Sequence, residues 1–304
     1  MTTIEKEAHI ISERLIDDIK TKGFAVGSSC LFSSEERSKL EKFIDEQYFG
    51  NKNAHDVSSN APVIENLLGI HPEIDKIFNK VLSNSLVQEV IFGLLGNDYK
   101  IWEISARYSL PGDQGLGIHQ DAFGQMNLAL KLNDNLDLQG VTTFIPKSHF
   151  MFRWSDKISW ARPVIGNLFA KKLNFGTSDF GFFVNKTWHG RNKNRGSIIT
   201  KIILIGMFPA GAKFSKKITS ETVRSIHSQN EELIRRINLD NGAKEISPNT
   251  YLILTSNENN KKPFTLELEE SGRFFLKSLY PLSLALLLEL FFRPLQFIYK
   301  LFKR

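Results

Sequence analysis

The sequence predicts a mainly β domain, a sandwich or barrel, braced by helices at its N-terminal end. Three observations predict it. Helical periodicity dominates roughly the first 95 residues and then gives way until about residue 218. Short apolar segments then recur at 99–109, 126–132, 140–145, 163–170, 180–184 and 198–208. Turn residues such as Pro111-Gly112-Asp113, Asn133-Asp134-Asn135 and Asn192 to Gly196 separate them. Six or more short strands at this spacing fit two facing sheets or a closed barrel.

Residues 4–21 carry Ile10, Ile11, Leu15, Ile16 and Ile19 at helical spacing, which makes them the first helix. Gly23 to Val26 reads as a short strand. Ser33 followed by Glu36 is a capping-box pattern, so a second helix opens there and runs through Leu40, Phe43 and Ile44. Residues 50–62 read as a polar loop. Helices follow at 73–82 and 84–95, the second stopped by Gly96-Asn97. Beyond the strands, 218–238 returns to helical spacing, 247–254 reads as one more strand, and 255–264 (SNENNKKPFT) is a polar linker. No internal repeat is present.

The 304 residues are 41% hydrophobic and 24% charged, which excludes disordered and collagen-like chains. Cys30 is the one cysteine, so an intramolecular disulfide and any cluster of thiolates are excluded. A lone cysteine, with a polar N-terminus unlike a secretory signal, fits a cytoplasmic protein. The net charge is +6. Residues 273–304 hold six basic side chains against the single acid Glu289, so five of those charges sit there and the rest of the chain is nearly neutral. Nucleic-acid binding is not expected from such a body.

The segment most informative about chemistry is Gly117-Ile118-His119-Gln120-Asp121. Two residues apart on a strand, His119 and Asp121 project to one face and can grip one metal ion. A third ligand is available in Trp188-His189-Gly190, after the strand at 180–184. Two imidazoles and a carboxylate leave open positions on an octahedral ion, which suits non-haem Fe(II). On spacing alone the bland reading stands beside it: a turn hydrogen-bond pair and a strand-end histidine. His149 reads as a turn residue, Gln125 and Asn127 as amides on a strand that lines the pocket or the core. Trp154, Trp160 and Trp188 could shape a pocket or pack the core.

Taken together, several segments in order resemble the phytanoyl-CoA dioxygenase family of Fe(II)/2-oxoglutarate oxygenases, over roughly residues 20–210. They are Gly23 to Val26, Leu31 to Glu36, Leu94 to Asn97, His119-Gln120-Asp121, Gly140 to His149, Asp179, His189-Gly190 and Asn194. Lys147 stands where the family's turn usually has glycine. The resemblance implies a double-stranded β-helix (jelly-roll) core within residues 1–254. It also implies Fe(II) on His119, Asp121 and His189, with 2-oxoglutarate and O2 as co-substrates. The implied reaction hydroxylates an unactivated C–H bond of a small or lipid-linked substrate, with 2-oxoglutarate converted to succinate and CO2. Asp121 is a carboxylate where related halogenases have a small residue, which points to oxygenation. The chain departs from the family at the co-substrate carboxylate. The usual arginine, eleven residues after the distal histidine, is Thr200 here, followed by Lys201. A buried carboxylate needs a cation. The candidates are Arg107 and Arg195, with Thr200 adding a hydroxyl, while Lys201 faces outward if Thr200 faces in; Arg191 is a further neighbouring base. The competing class is a non-enzymatic metal- or ligand-binding barrel anchored by its C-terminal helix.

Residues 265–304 read as a basic amphipathic helical tail. Between 273 and 304, 16 of 32 residues are Leu or Phe. Glu289, Arg293, Gln296, Lys300 and Lys303 form one narrow polar stripe on a helix. The longest uncharged stretch, 278–288, is too short for a bilayer, which needs about 20 residues. Such a face fits the surface of an anionic membrane, with a second copy of the chain or the protein's own barrel as the other coverings. The full chain should float with anionic liposomes, and a version ending at Glu270 should not. If both stay soluble and the full chain is monomeric, the tail is neither a membrane nor a subunit contact.

Overall fold

The computed structural model describes residues 3–50, 54–58, 60–65, 67–121, 124–134, 137–150, 169–209, 236, 263–265 and 267–268. Among these residues, the N-terminal part holds four helices: α1 (Thr3–Lys22), α2 (Ser34–Phe49), α3 (Pro72–Leu82) and α4 (Ser85–Leu95). Ser33 caps α2 as its sequence predicts. Its hydroxyl accepts from Glu36 N–H at 3.1 Å, and Glu36 accepts from Ser33 N–H at 2.7 Å. Interleaved with and following the helices are eleven strands: β1 (Phe24–Ser28), β2 (Ala54–Ser58), β3 (Ala61–Ile64), β4 (Lys100–Ser109), β5 (Leu116–His119), β6 (Met126–Lys131), β7 (Thr142–Phe144), β8 (Lys171–Lys172), β9 (Asp179–Val184), β10 (His189–Arg191) and β11 (Thr200–Phe208).

They form two antiparallel sheets, of order β1-β9-β6-β11-β4-β3-β2 and β5-β10-β7-β8. Two facing sheets are what the strand spacing predicts, and this is the jelly-roll core that the family resemblance implies. The polar loop expected at 50–62 instead contains β2 and β3, a hairpin that extends the large sheet beyond β4. Its Asp, Ser and Pro content hides it, because edge strands need neither alternation nor strong β formers. The expected strand at 247–254, the tail at 273–304 and most of the expected strand at 163–170, helix at 218–238 and linker lie outside the described residues. Among the described residues no helix is long and apolar enough to cross a membrane.

Strand alternation splits the large sheet into two functions. Ile104, Ala106 and Tyr108 of β4, Leu128 and Leu130 of β6, and Ile203 and Ile205 of β11 face the helices. There they join Leu15, Ile19, Val87 and Ile91 in the main core. The opposite face carries Glu103, Arg107, Ser109, Asn127, Lys131, Thr200, Ile202 and Leu204, which line a cavity of about 340 Å³. At β4 the register to β11 slips, with Gly206 opposite Glu103 and Met207 opposite Ile101. Trp102 is the extra residue, and this bulge lets Trp102 and Glu103 both line the cavity.

A buried carboxylate ties the turn before β5 to β10. Asp113 accepts from Arg191 Nε at 2.7 Å, from Ser109 Oγ at 2.5 Å and from Gly115 N–H at 2.8 Å. Its backbone bonds Leu110 and Asn194. Asn194, fully buried, donates to the carbonyls of Ser109 and Ile198, so the two loops close as one knot. Asp113→Ala should cost about 3 kcal/mol, because the Arg191 guanidinium loses that partner while staying largely buried. Urea unfolding measures this, and a loss under about 0.5 kcal/mol would contradict the role given to the knot.

Candidate metal centre

β5 ends at His119 and β10 begins at His189, and the antiparallel register sets the two directly opposite. Their ring centroids are 4.5 Å apart. This close approach needs Gly190. β5 has Gly117 and Ile118 against that single residue, and a Cβ on it would lie 2.5 Å from Leu116 O. Each imidazole turns its Nδ1 to the carbonyl two residues back, His119 to Gly117 at 2.9 Å and His189 to Thr187 at 2.8 Å. A carbonyl only accepts, so Nδ1 carries the proton in both rings and Nε2 is left to bind something else.

Both Nε2 atoms face Asp121. His119 lies 3.3 Å from Oδ1 and His189 3.1 Å from Oδ2. Two acceptors at that distance need a proton or a cation between them. The three ligand atoms all lie within 4.8 Å of one another, so this donor set fits a divalent ion. Burial would raise the Asp121 carboxyl, but the His189 and His119 imidazoles beside it outweigh burial. They hold the carboxyl well below the usual carboxylate range, so it is ionised. The sequence places Asp121 on the same strand face as His119, whereas β5 stops at His119. Asp121 is held instead by Asn185, whose carbonyl accepts the Asp121 N–H at 3.0 Å and whose Nδ2 donates to Oδ2 at 3.2 Å. Gln120 adds a bond to Lys186 O at 2.6 Å.

Of the residues considered for the co-substrate carboxylate, Arg107 and Thr200 share the cavity wall, and Arg195 and Lys201 do not reach it. Arg107 lines the cavity, with Nη2 donating to Glu103 Oε1 at 2.5 Å. Thr200 also lines it, its hydroxyl donating to Gln139 O at 2.6 Å. Arg195 is exposed on the loop after β10 and lies outside the cavity. Lys201 points the opposite way from Thr200, to Glu41 and Asp45 of α2, at 2.8 Å each. Arg191 reaches the cavity wall but is engaged by Asp113.

Sequence reasoning missed Lys131, a buried cation on the cavity wall. It is 6% exposed and lines the cavity, and its ammonium donates to Phe175 O at 3.1 Å. No carboxylate among the described residues lies within ion-pair distance. Burial pushes the amine down, against the opposing pull of Asp134 and Asp179. Ile202 pairs with Lys131 on one side and Arg107 on the other, so both cations share one row across the sheet. The clue was the period-two series Asn127, Ala129, Lys131, which puts a lysine on the face of the pocket amides.

The remaining singled-out residues are structural. His149 is fully buried, and its Nε2 meets Lys20 O at 3.0 Å. Asp179 accepts from Gly176 N–H at 2.8 Å in the turn before β9. Lys147 has φ 65°, the left-handed conformation that favours the glycine usual in the resembled family. Trp188 is buried and lies outside the cavity, and Trp154 and Trp160 lie outside the described residues.

No family model and no curated protein matches the chain by sequence. Solved structures do match it in shape. The non-heme alpha ketoglutarate dependent carbocyclase SnoK from nogalamycin biosynthesis has a TM-score of 0.58 at 13% identity, over 71% of this chain and 92% of that one. The epimerase SnoN, in complex with Fe3+, alpha ketoglutarate and nogalamycin RO, has 0.54 at 12%, over 82% and 97%. HygX from Streptomyces hygroscopicus, with nickel, 2-oxoglutarate and hygromycin B bound, has 0.51 at 12%, over 69% and 93%. The likeness is one of fold.

The purified protein should bind one Mn(II) or Co(II) per chain. Asp121→Ala and His189→Ala should each abolish saturable binding while leaving the circular dichroism spectrum unchanged. Unaltered affinity in either variant would exclude these residues as ligands.

Proposed function

We propose that the protein is an Fe(II)- and 2-oxoglutarate-dependent oxygenase of the phytanoyl-CoA dioxygenase type, which hydroxylates an unactivated C–H bond. The observation that carries this is the convergence of His119, Asp121 and His189 at the cavity, with both imidazoles locked into the metal-binding tautomer. That SnoN and HygX hold a metal and the same keto acid on the same fold supports the reading. Bound there, Fe(II) would supply O2 activation coupled to decarboxylation of 2-oxoglutarate to succinate and CO2.

The chain's own residues would do the rest. The two histidines and Asp121 hold the ion and leave one side of it to the cavity. Lys131 pairs the far carboxylate of 2-oxoglutarate in place of the family's arginine, because it is a buried cation without a carboxylate partner among the described residues. Arg107, on the same row, adds positive potential while Glu103 holds it. Leu173, Phe175, Phe183 and Leu204 form an apolar wall that keeps water from the reacting bond. A lipid-linked or other amphiphilic substrate on the cytoplasmic face of a membrane fits the apolar tail read from the sequence.

Anaerobic addition of Fe(II) and 2-oxoglutarate should produce a visible metal-to-ligand charge-transfer band, and aerobic turnover should release succinate. A chain that binds metal but yields neither is the non-enzymatic binding barrel. SnoN is an epimerase and SnoK a carbocyclase, so the outcome on substrate needs its own test. Hydroxylation incorporates one atom of 18O2 into the product, and an unlabelled product would overturn it. Lys131→Met should raise KM for 2-oxoglutarate roughly 10–100-fold, the loss of one charge-assisted bond, with Fe(II) affinity unchanged. An unchanged KM would move the pairing to Arg107.

A further inference from the structure

We infer that Asn185 is the positioning residue for the metal-ligating carboxylate, acting at the end of a directed chain of buried amides that begins at the cavity wall. The inference rests on the reading of His119, Asp121 and His189 as a metal centre. Asn185 belongs to no motif, follows the last residue of β9 and is fully buried.

Every polar group of Asn185 is spent on Asp121 itself or on Gln125 and Asn127, just after it in the chain. Its N–H donates to Gln125 O at 2.8 Å and its carbonyl accepts from Asp121 N–H at 3.0 Å. Its Nδ2 donates to Asp121 Oδ2 at 3.2 Å, and its Oδ1 accepts from Asn127 Nδ2 at 2.8 Å. Asn127 Oδ1 accepts in turn from Gln125 Nε2 at 3.3 Å. Gln125 and Asn127 line the cavity, whereas Asn185 lies behind it.

One charge sets the direction of the whole chain. An ionised carboxylate only accepts, so the Asn185 amide must present its NH2 to Asp121. Its oxygen then faces Asn127, which must donate, and Asn127's oxygen then faces Gln125, which must donate. Three amides are thereby fixed in one orientation, each polarising the next towards Oδ2. Asp121 needs such a hold because it lies beyond β5, where no strand partner fixes it. With Oδ2 pinned, the carboxylate plane is set against both imidazoles before any ion arrives. A leucine at 185 keeps the volume and removes the donor. An aspartate sets a second carboxylate against the first.

The test is titration of the purified full-length chain, freed of metal, with Co(II) or Mn(II), alongside the absorption spectrum of the Co(II) form. Wild type should bind one ion. Asn185→Leu should bind it about 10–100-fold more weakly, with an altered Co(II) d–d spectrum, and Asn185→Asp should also lose affinity. Asn127→Leu, which frees the Asn185 amide to turn over, should lose affinity less, about several-fold. If Asn185→Leu fails to fold, the Asn127→Leu result decides. Wild-type affinity and spectrum in the folded variants would overturn the inference while leaving the metal centre standing. Failure of wild type to bind any ion would overturn the metal centre and this inference together.

Discussion

A single strand pairing, β5 against β10, brings His119 and His189 from 70 residues apart to opposite positions of one ladder. Everything chemical in the molecule is built outwards from that register. A slip of one residue would turn one imidazole to the other face of its sheet. The pairing is short, so backbone bonds alone do not define it. The Asp113–Arg191 knot clamps one end, and the Asn185 contacts with Asp121 clamp the other. Between them, the carbonyls of Gly117 and Thr187 aim the two rings. The donor set is thus oriented by backbone and buried side chains.

The large sheet separates stability from chemistry by side-chain alternation. One face of β4, β6 and β11 is packed against α1 and α4 and excludes water from the main core. The other face holds charges and amides that would be costly in a sealed interior and are tolerable because they line a cavity. The bulge at Trp102 sits where the sequence must leave that alternation, and it adds an aromatic ring beside Glu103. Substitutions on the two faces should therefore separate cleanly into effects on folding and effects on the site.

Local physics made much of this legible from the residues. The Ser33 cap, the helix ending at Gly96, the alternation of β4 and β11 and the His119–Asp121 spacing are short-range patterns, and each has its place in the structure. What escaped depends on contacts distant in sequence. Lys131 is an ordinary strand-end lysine until Ile202 sets it level with Arg107. Asn185 is unremarked until the fold carries it to Asp121, 64 residues away in sequence. The β2–β3 hairpin lacks a pattern because its order is imposed by β4. Arg195 was plausible only while the direction of the loop after β10 was unknown, and Lys201 only while the facing of β11 was.

Gly190 bears on how such chains can be recognised at all. Its place is dictated by Leu116 O, which would meet a Cβ at 2.5 Å whether or not an ion is bound. A descendant that abandoned catalysis but kept its barrel would still be obliged to keep this glycine, and nothing would oblige it to keep Asp121. The glycine of the familiar His-Gly pair is therefore a record of architecture. Only the donors His119, Asp121 and His189, with the amides that steady the carboxylate, distinguish a barrel able to hold an ion from one that is not.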